Sequence, residues 1–242
     1  MSLMPVAPAA GSPEITQRGE APAAVSLTDS VWAQIREDIL TGALEPGARI
    51  TIEFLKNRYV VGASPIREAL WRLCAEGFVI SSTNRGFEVT NVFREELVDV
   101  IRLRVMLEQQ ALEDAIAAGT DAWEAEIVAC FHRLSKHRQT DGKPWDMWHR
   151  RFHEALVATC RAPVLHQLRA QLFDRSSRYR NLTRMVSSRD DLQEHKALME
   201  ACLSRDALLA KSLIAEHFEL TGRLALQLFD KQREKEPAVL EE

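Results

Sequence analysis

From residue 92 to residue 231 the apolar side chains recur at three- and four-residue spacing, and no strand-like alternation interrupts them. A stretch of that length with a single period points to one architecture, an all-α bundle in which each helix hides one apolar stripe. The spacing predicts helices over 94–118, 121–139, 145–160, 163–180, 189–204 and 206–231. The bundle is expected to occupy 92–233, with a charged, flexible tail over 234–242.

Upstream the pattern changes. Residues 1–25 are rich in Ala and Pro and bury too little to offset ordering entropy, so they are expected to be disordered. From Ser26, Leu27, Val31, Ile35, Ile39 and Leu40 repeat at helical spacing, with Thr28 or Asp29 able to cap the start. A turn at Glu45-Pro46-Gly47 precedes a short helix over Ile52–Tyr59. Ser64 is a good N-cap and Pro65 suits the first position of a third helix, Pro65–Glu76, stopped by Gly77. Two β-prone runs, Phe78-Val79-Ile80-Ser81-Ser82 and Phe87-Glu88-Val89-Thr90, flank the polar Thr83-Asn84-Arg85-Gly86 and read as a hairpin. The predicted fold is therefore mostly α: a winged helix-turn-helix of three helices plus a β-hairpin wing over 26–91, followed by the all-α bundle.

Composition narrows the class. A net charge of −4 argues against a generally basic nucleic-acid coat, although one positive face remains compatible with sequence reading. No apolar run reaches the 18 or so residues of a membrane span, and residues 1–24 lack the form of a signal peptide. Cys74, Cys130, Cys160 and Cys202 form no C-x-x-C pair and read as small buried thiols of a cytoplasmic protein.

The third helix has the makings of a DNA reader. Ile66, Ala69, Leu70 and Leu73 form its apolar side, leaving Arg67 and Arg72 for the surface. Arg67, one turn in, can reach a guanine edge or a phosphate, and Ser64-Pro65 sits where free N–H groups favour an anion. Lys56, Arg58, Asn84, Arg85 and Gly86 complete the candidate DNA-binding set. Six Lys/Arg face three Asp/Glu between Arg49 and Arg85; an ordinary solvated face would also account for that excess. The order of elements favours DNA.

The run Ser64-Pro65-Ile66-Arg67-Glu68-Ala69-Leu70-Trp71-Arg72-Leu73-Cys74-Ala75-Glu76-Gly77-Phe78-Val79, followed by Asn84-Arg85-Gly86-Phe87-Glu88-Val89, resembles the winged-helix region of GntR-type regulators. So does Ile39-Leu40-Thr41-Gly42-Ala43-Leu44-Glu45-Pro46-Gly47-Ala48-Arg49-Ile50. The resemblance implies that Arg67 contacts DNA, that Glu68 and Ala69 help pack the helix, and that Arg85-Gly86 forms the wing tip. Gly62 and Ala63 stand where the family often has a Ser and a base-reading Arg, so a different operator is expected.

In the bundle, Arg104 follows Leu97 and Ile101 on a core-facing stripe. A guanidinium there needs a partner, either Glu108 at i+4 or a ligand carboxylate held by two parallel hydrogen bonds. His149 and His153, at i and i+4, lie on one stripe with Trp145, Phe152 and Leu156. His195 shares a stripe with Leu192, Met199 and Cys202, and His217 one with Leu213, Leu220 and Leu224. One such histidine is ordinarily a satisfied core residue. Four facing inward leave many ring nitrogens to satisfy, and one metal ion satisfies them together.

Phe152-His153, Glu194-His195, His217 and the run Arg104-Val105-Met106-Leu107-Glu108 resemble the sensor domain of the FadR-type branch, of FCD type. That resemblance implies a divalent metal, zinc or nickel, with a small organic acid beside it, in a homodimer that binds a pseudo-palindromic operator and represses. His149 stands where the family has an acid: either four imidazoles hold the metal, or His149 swings away and three remain. A metal-dependent hydrolase is the rival class, but His149-Arg150-Arg151-Phe152-His153 lacks the general base of an H-E-x-x-H helix. A regulator with a purely structural metal is the other alternative.

Overall fold

The computed structural model describes residues 26–82, 86–137, 143–184 and 191–235. The expected N-terminal tail, Asn84, Arg85 and residues 236–242 lie outside the described residues.

The N-terminal unit is built by α1 (Leu27–Leu40), β1 (Arg49–Ile50), α2 (Ile52–Tyr59), α3 (Ala63–Ala75), β2 (Val79–Ser82) and β3 (Gly86–Val89). The Ser26 hydroxyl, not Thr28 or Asp29, caps α1 by accepting from the Asp29 N–H at 3.0 Å. α3 begins two residues earlier than expected, with Gly62 at its N-cap and no side-chain cap bond. Ser64 and Pro65 therefore lie within the first turn, where a missing N–H removes no intrahelical bond. Gly77 takes φ +80 just after α3, a conformation that stops a helix and that side chains rarely adopt. The hairpin pairs Val79 with Val89 through to Ser82 with Gly86, and β1, unforeseen because it is two residues long, adds to the other edge of β3.

The apolar faces meet in one cluster. Ile66, Ala69, Leu70 and Leu73 of α3 are wholly buried with Val31 and Ile35 of α1, Leu55 of α2 and Val89 of β3. Burying an Ile or Leu side chain of this kind stabilises by roughly 1.5–3 kcal/mol, so α3 is held as part of a rigid body.

The bundle follows: α4 (Arg94–Ala118), α5 (Asp121–Lys136), α6 (Lys143–Leu156), α7 (Pro163–Arg184), α8 (Asp191–Leu203) and α9 (Ala207–Lys235). The long α4 packs against α9 and α7, while α5 packs on α6 and α8. At Gly222 a Cβ would come within 3.0 Å of Ile101, so the absent side chain permits the close α4–α9 approach. α6 ends at Leu156 rather than Cys160; Val157 and Cys160 stay buried in the following turns, and Thr159 anchors the segment by donating to the Ala115 carbonyl at 2.8 Å. No described helix is long and apolar enough to cross a membrane.

The two units touch through α1 and α7. Asp174 of α7 accepts from Arg36 of α1 and also from Arg150 of α6. Arg178 of α7 donates to the Thr90 carbonyl just past the wing.

Candidate functional site

α2 and α3 form a helix-turn-helix joined by the three residues 60–62, with Val60 exposed at φ 55. On the outer face of α3, Arg67 is exposed, and no described residue makes an ion pair or hydrogen bond that occupies its guanidinium. Ser64 is exposed in the first turn and donates to Glu68 at 3.2 Å. Glu68 also accepts from Thr28, at 3.0 Å, which ties α3 to α1. Among the described candidates, Lys56, Arg58 and Arg72 are engaged within the protein. Lys56 pairs with Glu53 at 2.8 Å, and Arg58 with Asp38 at 2.7 Å. Arg72 reaches Asp29 at 3.0 Å and lies 3.7 Å over the Trp32 ring. Trp71 meets Phe87 edge-on at 5.5 Å, joining α3 to the wing strand. Gly86 takes φ +82 at the start of β3.

In the bundle, α6 supplies His149 and His153, α8 His195, and α9 His217. All four are buried, and one ring nitrogen from each lies within 4.8 Å of the others. The inward stripes read from the sequence thus converge on one point. Their hydrogen bonds set them up unequally. The His217 Nδ1–H donates to Glu194 at 2.8 Å, and the His195 Nδ1–H donates to the Asp191 carbonyl at 2.5 Å. In both rings that leaves Nε2 with the lone pair, the usual outer-shell arrangement of a metal-binding imidazole. Both ring nitrogens of His153 are buried without a hydrogen-bond partner among the described residues. His149 differs: Arg180 donates to its Nδ1 at 2.9 Å and to Asp146 at 2.9 Å. Burial holds His149 and His153 well below the usual imidazole range, with Arg180 adding to the effect at the first and His217 at the second. Both rings are therefore neutral near pH 7, and a neutral ring keeps one lone pair. Imidazole nitrogens with buried lone pairs suit zinc, nickel or a similar divalent ion, so the donor set fits the metal that the sequence implies.

Beside the histidines lies a buried charge cluster. Glu108 takes Arg169 through Nε at 2.9 Å and through Nη2, while Arg104 stands 3.8 Å away on its other oxygen. Arg104 also donates to the Ser176 hydroxyl at 2.7 Å and packs 3.7 Å over the Phe218 ring. Its Nε and Nη2 make no hydrogen bond among the described residues. Burial pushes Arg104 down to about 9, which leaves it charged at neutral pH. The two sequence readings of Arg104 therefore coexist: it pairs loosely with Glu108 and keeps donors to spare. A cavity of about 250 Å³ opens here, lined by Glu108, Arg150, His153, His166, Arg169 and Phe173 among others. A second, of about 210 Å³, lies between α1 and the α6–α7 pair, and Arg150 lines both.

Sequence reasoning missed the contribution of α7. Arg169, Phe173, Ser176 and Arg180 follow one another at +4, +3 and +4, a single helical face. Two arginines on such a stripe carried the same signal that drew attention to Arg104.

Comparison with known proteins agrees with this architecture. A model of the bacterial regulatory proteins of the gntR family matches residues 27–89, and an FCD domain model matches residues 99–220. The HTH-type transcriptional repressor GlaR of Escherichia coli strain K12 is 36% identical over 203 residues, covering 79% of this chain and 91% of its own. This chain belongs to the GntR family. The HTH-type transcriptional regulator BphR of Paraburkholderia xenovorans strain LB400 is 36% identical over 80% of this chain and 83% of its own. The fold matches that of E. coli McbR/YncC with a TM-score of 0.75 at 24% identity, over 85% of this chain and all of that one. The GntR-family protein described here is thus a DNA-binding transcription regulator with an FCD domain, and the hydrolase reading falls because its relatives are regulators.

Proposed function

We propose that this GntR-family regulator is a homodimeric repressor whose hold on a pseudo-palindromic operator is set by a small carboxylate bound beside a divalent metal. The observation that carries the reading is the buried ring of His149, His153, His195 and His217 next to an arginine-walled cavity. The metal, zinc by first expectation and nickel by second, would sit among these histidines and supply positive charge for an anionic ligand. Arg104, with two unused donor groups, holds the ligand's carboxylate. The exposed apolar face of α4, with Val98, Leu103 and Met106, supports pairing of two chains.

On the DNA side, Arg67 is the base reader, with Ser64 and Lys56 toward the phosphates, Pro65 at the start of the reading helix and Gly86 at the wing; Asn84 and Arg85 complete the candidate set from the sequence. Arg58 and Arg72 steady the helices that present it. Arg67→Ala is expected to weaken binding to an operator selected from a random DNA pool by about 1–3 kcal/mol. Anisotropy titration at fixed salt reads this directly, and an unchanged affinity contradicts the assignment.

Coupling between the units runs through Asp174. Arg150 lines the ligand cavity yet donates to Asp174, which also holds Arg36 of α1. A carboxylate that draws Arg150 away changes what Arg36 is offered, and so favours one placement of the DNA-binding unit. Asp174→Asn is expected to keep operator binding but lose most of a ligand response of typically 1–3 kcal/mol. Operator release by carboxylates at the wild-type level in this variant rules out the route.

A further inference from the structure

We propose that His149 is not the fourth metal ligand but an N–H donor to the bound carboxylate, its tautomer fixed by Arg180. The inference rests on the metal-and-carboxylate reading above and deepens it.

A neutral imidazole has one lone pair and one N–H. Arg180 can only donate, and its bond to His149 Nδ1 occupies the lone pair, so the proton of the neutral ring sits on Nε2. Either nitrogen is then unsuited to a metal. Nδ1 is covered by a cation, and Nε2 carries a proton. The arrangement is braced from both sides. Asp146 holds the other arm of Arg180, and both partners are largely buried, with side chains 14% and 18% exposed. The Trp145 ring stacks on His149 at 4.6 Å with an interplanar angle of 17°, which fixes the plane of the imidazole.

The other three rings are poised the opposite way. His195 and His217 turn Nδ1–H outward onto Asp191 and Glu194, leaving Nε2 lone pairs, and His153 has no competing partner among the described residues. The set thus offers three lone pairs and, from His149, one N–H. Three protein ligands leave a coordination position open. A donor beside that position, with Arg104 nearby, is the complement of a carboxylate. Three neutral imidazoles also leave the +2 charge of the metal undiminished for that anion.

The test is metal binding by the full chain, wild type against His149→Ala and His153→Ala, measured by competition with a chromophoric chelator. Acetate is then titrated into the cobalt-loaded forms and followed by visible absorption. His149→Ala is expected to bind one ion per chain within about threefold of wild type, whereas His153→Ala loses more than the roughly 10–100-fold that outer-shell changes bring. Acetate binding to cobalt-loaded His149→Ala is expected to fall about tenfold, as loss of one charge-assisted hydrogen bond implies. A metal affinity for His149→Ala as low as that of His153→Ala overturns the proposal, and so does unchanged acetate binding. Should the variants fail to fold, ¹⁵N spectra of the zinc-loaded wild type decide. Three metal-bound rings and one Nε2–H tautomer are expected; four metal-bound rings refute it. A wild-type chain that takes up no zinc removes the metal-sensor reading itself, whereas the variant results bear on His149 alone.

Discussion

Replacing Glu108 by glutamine is expected to destabilise the metal-free protein by about 3–5 kcal/mol. The carboxylate is 3% exposed and is the acid shared by two buried guanidiniums, those of Arg169 and Arg104. Taking two cations and an anion out of water is costly, and their attraction offsets that cost only while all three are present. Neutralising the anion leaves like charges facing each other in a largely buried site where screening is weak. For a chain of this size the loss amounts to roughly 6–20 °C in melting temperature. Urea denaturation of Glu108→Gln against wild type measures it, and a loss below about 1 kcal/mol contradicts the picture of a closed ion cluster. A buried ion triad is seldom the most stabilising way to fill a core, since apolar residues of similar volume often do as well or better. The positive charge held here borders the cavity beside it, where Arg169 and Arg150 line the wall.

Much of this arrangement was legible in the sequence because it rests on periodicity. The helix over 94–118 was read to the residue, since α4 keeps one apolar stripe from Leu97 to Ile116 and stops where Gly119 and Thr120 intervene. The four histidines were placed inward by the same rule, and they do converge. What the sequence could not give was the partner of each nitrogen. Nothing local to His149 announces Arg180, which is 31 residues away, nor does Glu108 announce Arg169, 61 residues away. Those pairings depend on how α7 is rotated against α4 and α6, a tertiary property. Local errors have local causes. The early start of α3 reflects the freedom of a first helical turn to contain both a serine and a proline, which a reading of Ser64 as N-cap leaves out. β1 was missed because two residues carry no period, and it exists only through pairing with β3. Arg58 and Arg72 read from the sequence as candidate DNA contacts, and only the fold brings Asp38 and Asp29 against them.

The proposed joint action of metal and carboxylate in one site is tested most directly by a thermal-shift screen. Small mono- and dicarboxylates are added to the full chain, once metal-loaded and once stripped with a chelator. A ligand at about 100 times its dissociation constant adds roughly 2.7 kcal/mol, which for this chain length is about 5–10 °C. Such a shift is expected for at least one acid, present with metal and absent without it. Strong stabilisation by metal alone, with no acid adding to it, would contradict the account and leave the histidine ring a structural centre.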